Sequence, residues 1–297
     1  MSDRIDLAVI GGDTRQCAAI GRFLDAGLSV RAYGLPTKVL PPGAHDFDNW
    51  RKAVDGVRAV VLPLPATPDG VRVHMPLAPN MPSPPIAALF REIAPTVRIT
   101  GGRFSPTVRA LAEELGRSLY DYFTSEELQR KNALPTAEGA VSVLMKETAL
   151  TVAGMPVAVT GYGRVSRALC ELLYAMRAKV TVAARKESDL ADAAAHGYSA
   201  VSIADPHGLS ALCHGQCAIF NTVPFWLFTE EILKEMQKDT LLIDLASAPG
   251  GVDANAAGKY GIRVIWALSI PGKYAPVTAG RIVADTVLDY LGKEGLL

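Results

Sequence analysis

Apolar residues gather along this chain in short runs of roughly four to six, each followed by a stretch where they recur every third or fourth position. The first pattern predicts strands and the second predicts helices, so their alternation argues for βαβ units and parallel sheets. In the first half the strands fall near Leu7–Ile10, Ser29–Tyr33, Ala59–Leu62, Val97–Thr100 and Ser118–Tyr122. Helices are predicted at Arg15–Ala26, Ile86–Ile93 and Pro106–Leu115. In the second half strands are predicted at Val157–Thr160, Lys179–Ala183, Ala200–Ile203, Ala218–Asn221, Leu241–Asp244 and Arg263–Trp266. Six strands with helices between them match the doubly wound nucleotide-binding pattern.

The fold class is therefore α/β in two domains. Residues 1–134 read as a flavodoxin-like or Rossmann-like domain, and residues 135–280 as a doubly wound Rossmann domain of the NAD(P)-binding kind. The segment 281–297 is helical and open to packing back on the first domain. Between the halves, "KNALPTAEGAVSVLMKETA" predicts a connecting helix that starts at Pro135, with Thr136 as its cap and Glu138 in its first turn. Residues 63–85 hold eight prolines and little helical pattern. A loop of that length inside a compact domain is usually functional or mobile.

Composition adds mainly exclusions. At 297 residues and 49% hydrophobic content, the chain is long enough for two domains with separate cores. Lysine plus arginine and aspartate plus glutamate number 30 each, which leaves no electrostatic argument for nucleic acid or an anionic membrane. The opening "MSDRIDLAVIGG" reads as a strand rather than an apolar leader. The uncharged stretch 148–163 is too short, and too broken by Gly and Pro, to span a bilayer. Cys17, Cys170, Cys213 and Cys217 suggest no disulfide framework, so the expected compartment is the cytoplasm. Cys213, His214 and Cys217 lie close together with His207 nearby, but two thiols without a second pair read as a helix end feeding a buried strand. No metal is expected.

The glycine motif carries the chemistry. Gly161-Tyr162-Gly163-Arg164-Val165-Ser166 follows a strand and opens a helix, as a dinucleotide fingerprint requires. Gly161 allows the tight turn, Gly163 lets a pyrophosphate approach the backbone, and the helix start offers free N–H groups. Ser166 stands where the third glycine would be. The second strand ends in Ala184-Arg185-Lys186, where a carboxylate would grip the ribose hydroxyls of NAD. Arg185 and Lys186 suit a 2′-phosphate instead, which favours NADP with NAD as the alternative. Thr222, Val223 and Pro224 follow the fourth strand, and Asp244 and Ser247 the fifth, in loops that border the nicotinamide. Asp244 is either a cofactor contact or a carboxylate that fixes its loop.

Four stretches, "VIGGDTRQCAAIGRFLDAG", "NALPTAEGAV", "VTGYGRV" and "SIPGKYAPVTAG", together resemble the A subunit of bacterial dipicolinate synthase. They are spread over nearly the full length. The resemblance implies a cytosolic oxidoreductase of spore-forming bacteria that makes dipicolinate from a dihydro- or hydroxytetrahydro-dipicolinate, with NAD(P) as hydride acceptor. It also implies a flavoprotein-like B subunit as partner.

A dicarboxylate substrate calls for arginine forks, lysines, hydroxyls or helix starts. Thr14 and Arg15 follow the first Gly-Gly pair, Arg103 follows the second, Thr136 lies at the join, and Lys273 sits in "PGK". His74 and Glu138 are the proton carriers on offer. The expected substrate position is the cleft between the domains, beneath the proline-rich loop. A homo-oligomer is the default expectation. Two rival enzymes share parts of this plan. A D-2-hydroxy acid dehydrogenase needs a late histidine, and no histidine follows His214; Lys273 is expected to take the vacated place. A shikimate-type NADP reductase needs a Lys/Asp pair in the first domain, and Lys38, Lys52 and Lys131 lack a convincing partner. A non-catalytic nucleotide-binding subunit is the alternative outside enzymes.

Overall fold

The computed structural model describes residues 6–297. The chain forms two units, one built from the residues up to Asn132 together with Ala275–Leu297, the other from Ala133–Tyr274. In the first, strands β1 (Asp6–Ile10), β2 (Ser29–Tyr33), β3 (His45–Asp46), β4 (Ala59–Val61), β5 (Arg98–Gly101) and β6 (Leu119–Asp121) make one parallel sheet. Its order is β3-β2-β1-β4-β5-β6. The helices of this part are α1 (Thr14–Asp25), α2 (Trp50–Val54), α3 (Ile86–Glu92) and α4 (Pro106–Glu114). This is the Rossmann strand order rather than the flavodoxin one.

Helix α5 (Glu126–Glu147) contains the boundary between the units. The second sheet comprises β7 (Pro156–Thr160), β8 (Lys179–Ala184), β9 (Ser199–Ser202), β10 (Ala218–Asn221), β11 (Leu241–Asp244) and β12 (Arg263–Trp266). It is again wholly parallel, in the order β12-β11-β10-β7-β8-β9. Helices α6 (Arg164–Ala175), α7 (Glu187–Ala195), α8 (Pro206–Leu212), α9 (Glu230–Leu233), α10 (Ala254–Tyr260) and α11 (Ile270–Tyr274) belong to it. The last helix, α12 (Pro276–Lys293), belongs to the first unit.

The period of two along the central strands sets the cores on both faces of each sheet. Leu7 and Val9 of β1 cluster with Ile20 and Phe23 of α1 and Val283, Val287 and Leu291 of α12, while Ala8 and Ile10 cluster with Trp50, Phe90 and Ile99. In the second sheet Val157 and Val159 pack with Leu144, Leu169 and Leu173, and Ala158 with Leu209, Phe228 and Leu233. Helix α12 crosses α1 at Gly280, where any Cβ would overlap the Arg15 carbonyl oxygen. Among the described residues no helix is long and apolar enough to cross a membrane.

Three sequence expectations change. The connecting helix begins at Glu126, where Ser125 Oγ accepts from the Leu128 amide at 3.3 Å, so Thr136 lies well inside it rather than at its cap. Pro135 is tolerated within the helix. Strand β3 and helix α2 were not foreseen, being two and five residues long, below the length at which periodicity speaks. The proline-rich segment 63–85 is packed rather than loose. Val73, Met75 and Ala78 are buried, His74 N–H donates to the Ala66 carbonyl, and Met75 presses on Gly11 and Gly34.

Candidate functional site

Strand β7 ends at Thr160, and Gly161 turns the chain with φ +82 while its N–H donates to the Ala183 carbonyl at 2.8 Å. A Cβ at Gly161 would stand 2.8 Å from Thr222 Oγ1, so glycine is required on conformation and on space. Gly163 then stands at the start of α6 in an extended conformation, and as a glycine it gives the helix no side-chain cap. A Cβ there would meet nothing within 4 Å. The positive end of the helix dipole thus lies beside open space at Gly163. Arg164 is exposed and Val165 half-buried on that turn. Ser166 is fully buried, and its Oγ lies 2.7 Å from Thr222 Oγ1. Thr222 donates its own proton to the Thr160 carbonyl at 2.8 Å, so Ser166 is the donor of that pair. A small polar residue therefore replaces the third glycine and pins α6 to the loop after β10. The Thr222 hydroxyl thus donates its one proton within the fold and also accepts from Ser166.

A buried polar chain joins the ends of β7, β10 and β11. Thr160 Oγ1 donates to Asn221 Oδ1 at 2.7 Å, and Asn221 Nδ2 donates to Asp244 Oδ1 at 2.8 Å and to the Val223 carbonyl at 3.1 Å. Asp244 Oδ1 also accepts from Ala246 N at 3.0 Å, and its Oδ2 from Gly251 N at 2.8 Å. Asp244 is only 2% exposed. Of the two readings open for it, loop fixing is the one its bonds fill. Ser247 is half-buried and its carbonyl accepts from Gly250 N at 2.8 Å. Val223 is half-buried and Pro224 exposed.

A cleft of about 500 Å³ opens beside the glycine turn, with Gly161, Tyr162 and Val223 on one side and Ala184, Arg185 and Lys186 on the other. Asp189, Ile203, Phe225 and Leu227 complete its wall. Arg185 and Lys186 are exposed and basic, and Phe225 is 71% exposed. The Tyr162 ring lies 4.2 Å from the Arg167 guanidinium carbon, and burial pushes its phenol above the ordinary pKa. The cleft thus combines the glycine turn, two exposed cations and apolar side chains, a lining that suits an adenine nucleotide.

In the first unit the structure brings Thr14, Arg15 and His74 to the carboxyl end of the sheet. Asp13 caps α1 by accepting from Arg15 N at 2.9 Å and from the Arg15 guanidinium at 2.8–3.1 Å. Arg15 Nη2 also donates to the Leu64 carbonyl at 2.6 Å. Arg15 is therefore a buried tie between β1 and β4 rather than an open arm, while Thr14 beside it is exposed. His74 is half-buried near both charges. Burial lowers its pKa, with Asp13 opposing and Arg15 adding to that shift. Arg103 sits at φ +56, a left-handed conformation rare outside glycine. Asp121 holds the turn there, accepting from Arg103 N at 2.9 Å and Phe104 N at 3.1 Å. The Arg103 side chain is exposed over the Phe123 ring, its guanidinium carbon 5.4 Å from the centroid.

Three further candidates lie on α5 and α11. Glu138 is exposed on the α5 face that meets Leu172 and Met176, toward the far end of α6, and does not line the cleft beside the glycine turn. Thr136 is half-buried inside α5. Lys273 is exposed on the short helix α11, whose Ile270 seats on Gly139. Among the described residues no group of three His, Cys, Asp or Glu side chains could hold a metal ion. Burial raises the Cys213 thiol to about 12, far from a thiolate ligand.

Residues 6–123 match the family model for the N-terminal domain of the dipicolinate synthase A subunit. The chain is also 28% identical over 295 residues to the dipicolinate synthase A subunit of Bacillus subtilis, covering 97% of this chain and 96% of that one. The chain is a relative of the dipicolinate synthase A subunit across nearly its whole length. The crystal structure of the A subunit from Bacillus halodurans superposes with a TM-score of 0.88 at 28% identity, covering 97% of each chain. A transhydrogenase from Sinorhizobium meliloti, at 14% identity and a TM-score of 0.72 over 98% of this chain and 94% of that one, shares the fold.

Given this relationship to the dipicolinate synthase A subunit, the residues that sequence reading missed are informative. Phe225, Leu227 and Ile203 line the cleft from strand ends and the loop after β10, where no motif marks them. Asp189 lies five residues beyond the ribose position at Ala184 and reaches the same cleft because α7 turns it back. Asp13 carried a visible signal, since an Asp before a helix start is a cap.

Proposed function

We propose that the protein is the nicotinamide-nucleotide-dependent A subunit of a dipicolinate synthase, oxidising a dihydrodipicolinate-type cyclic dicarboxylate to dipicolinate. The observation that carries this reading is the open cradle above Gly163 at the start of α6. The bound nucleotide supplies the hydride acceptor. The start of α6 and its dipole hold its pyrophosphate, and Arg185 and Lys186 hold a 2′-phosphate, which makes NADP the favoured form and NAD the alternative. Val223, Pro224 and Ser247 border the nicotinamide end, on loops fixed by Asn221 and Asp244.

The substrate asks for two carboxylate sites and a proton acceptor. In the first unit Arg103, exposed and poised by Asp121, offers a guanidinium fork and the exposed Thr14 a further donor; in the second, Lys273 offers an exposed ammonium. His74, kept neutral at pH 7 by burial, takes the proton that the ring loses on aromatisation. Arg15 fixes the β1 and β4 ends between which His74 is held. A flavoprotein-like B subunit completes the enzyme, which acts in the cytoplasm during spore formation.

The test is oxidation of dihydrodipicolinate by the isolated chain with NADP⁺ or NAD⁺, followed at the reduced-nucleotide absorbance, alone and with the B subunit. Reduction of either nucleotide supports the proposal. Tight nucleotide binding with no reduction under both conditions would make this a binding subunit without hydride chemistry.

A further inference from the structure

The end of β8 lacks a ribose-binding carboxylate, yet one stands elsewhere in the same cleft. Asp189, in the first turn of α7, lines the wall that carries Ala184, Arg185 and Lys186. Its side chain keeps 28% of its surface exposed. Its ionic partner among the described residues is Arg167, at a long 3.7 Å. Arg167 makes its short contact to Asp192 and donates to the Tyr162 carbonyl at 3.2 Å, so Asp189 is left with acceptor capacity facing the cleft. The same wall thus carries two cations suited to a phosphate and one carboxylate suited to paired hydroxyls.

We propose that Asp189 accepts the adenosine ribose hydroxyls, so that the cleft takes NAD through Asp189 and NADP through Arg185 and Lys186. This rests on the reading of the cleft as a nicotinamide-nucleotide site and names its specificity residue. A free 2′-hydroxyl donates to the Asp189 carboxylate. A 2′-phosphate is repelled by that carboxylate and drawn to the neighbouring cations. Dual use of the two nucleotides follows from this opposition, and either side of it can be removed separately.

The experiment is calorimetric titration of the full-length protein with NAD⁺ and with NADP⁺, in the wild type, Asp189→Asn, Arg185→Ala/Lys186→Ala and Asp192→Asn. Loss of a hydrogen bond to a charged group corresponds to a roughly 10- to 100-fold change in Kd. Asp189→Asn should weaken NAD⁺ by about tenfold or more and leave NADP⁺ unchanged or tighter. The double variant should weaken NADP⁺ selectively. Asp192→Asn removes the other carboxylate on Arg167 and should leave the ratio of the two affinities within about twofold of wild type, separating a ligand contact from a structural pair. If both nucleotides bind the wild type but Asp189→Asn leaves that ratio unchanged, or shifts it toward NAD⁺, Asp189 is not the acceptor. If neither nucleotide binds the wild type, the nucleotide reading itself falls.

Discussion

Replacing Asp244 by Ala tests whether the loops after β10 and β11 are held by one buried carboxylate. In the wild type that carboxylate accepts from Ala246 N, Gly251 N and Asn221 Nδ2 at 2.8–3.0 Å. The substitution leaves two backbone donors without a partner, while Asn221 Nδ2 keeps the Val223 carbonyl at 3.1 Å. A buried donor left unsatisfied costs about 1–3 kcal/mol, so two cost roughly 2–6 kcal/mol. Relief from burying a charge offsets part of this, and a net loss of about 2–4 kcal/mol is expected. At the size of the second unit that lowers Tm by roughly 6–15 °C. Asp244→Asn should lie in between, because its amide turns a donor toward either Gly251 N or Asn221 Nδ2. Thermal and urea unfolding by circular dichroism reads the loss. Trp266 adds a local reporter, since its Nε1 donates to the Ala246 carbonyl at 2.9 Å. A Tm for Asp244→Ala within about 2 °C of wild type would refute the reasoning.

Further outcomes follow from the same geometry. Gly163→Ala should fold with stability within about 1 kcal/mol of wild type, because the new methyl meets open space, yet weaken nucleotide binding by at least about tenfold in a titration. Lys273→Ala should leave Tm unchanged, since the side chain is exposed, and lower dihydrodipicolinate oxidation by at least roughly tenfold; near-normal kinetics would remove Lys273 from the site. The folded-state pKa of His74 lies below its ordinary value, so the unfolded chain binds its proton first. Its contribution to stability is therefore fully present at pH 7.5 and declines as pH falls below about 6.5. His74→Gln should flatten that part of the urea-denaturation profile between pH 7.5 and 5, and an unchanged slope would contradict the assignment.

The parallel α/β plan was legible because buried central strands announce themselves as uninterrupted apolar runs, as in "LAVI" of β1 and "LLI" of β11. The glycine mouth was legible because its conformation demands glycine at Gly161. Other features depend on contacts far apart in sequence. Pro135-Thr136 imitates a helix start, and only the Ser125 cap ten residues earlier shows where α5 begins. Glu138 has the chemistry of a proton carrier, but helical phase places it on the face of α5 that meets Leu172 and Met176. Arg15 reads as an open arm because its bond to the Leu64 carbonyl spans 49 positions. Asp189 escapes a sequence reading because the ribose motif points to the strand end, and only the turn into α7 returns this carboxylate to the cleft.

The cap on α1 carries its own consequence. Both sheets follow one strand order, so each unit has a switch-point mouth where a phosphate could rest on a helix start. In the first unit Asp13 puts a carboxylate over that start and neutralises Arg15 with it. The positive end of that helix is thereby satisfied from within the chain. Two copies of one strand order thus differ at the helix start, where one carries a carboxylate cap and the other a glycine.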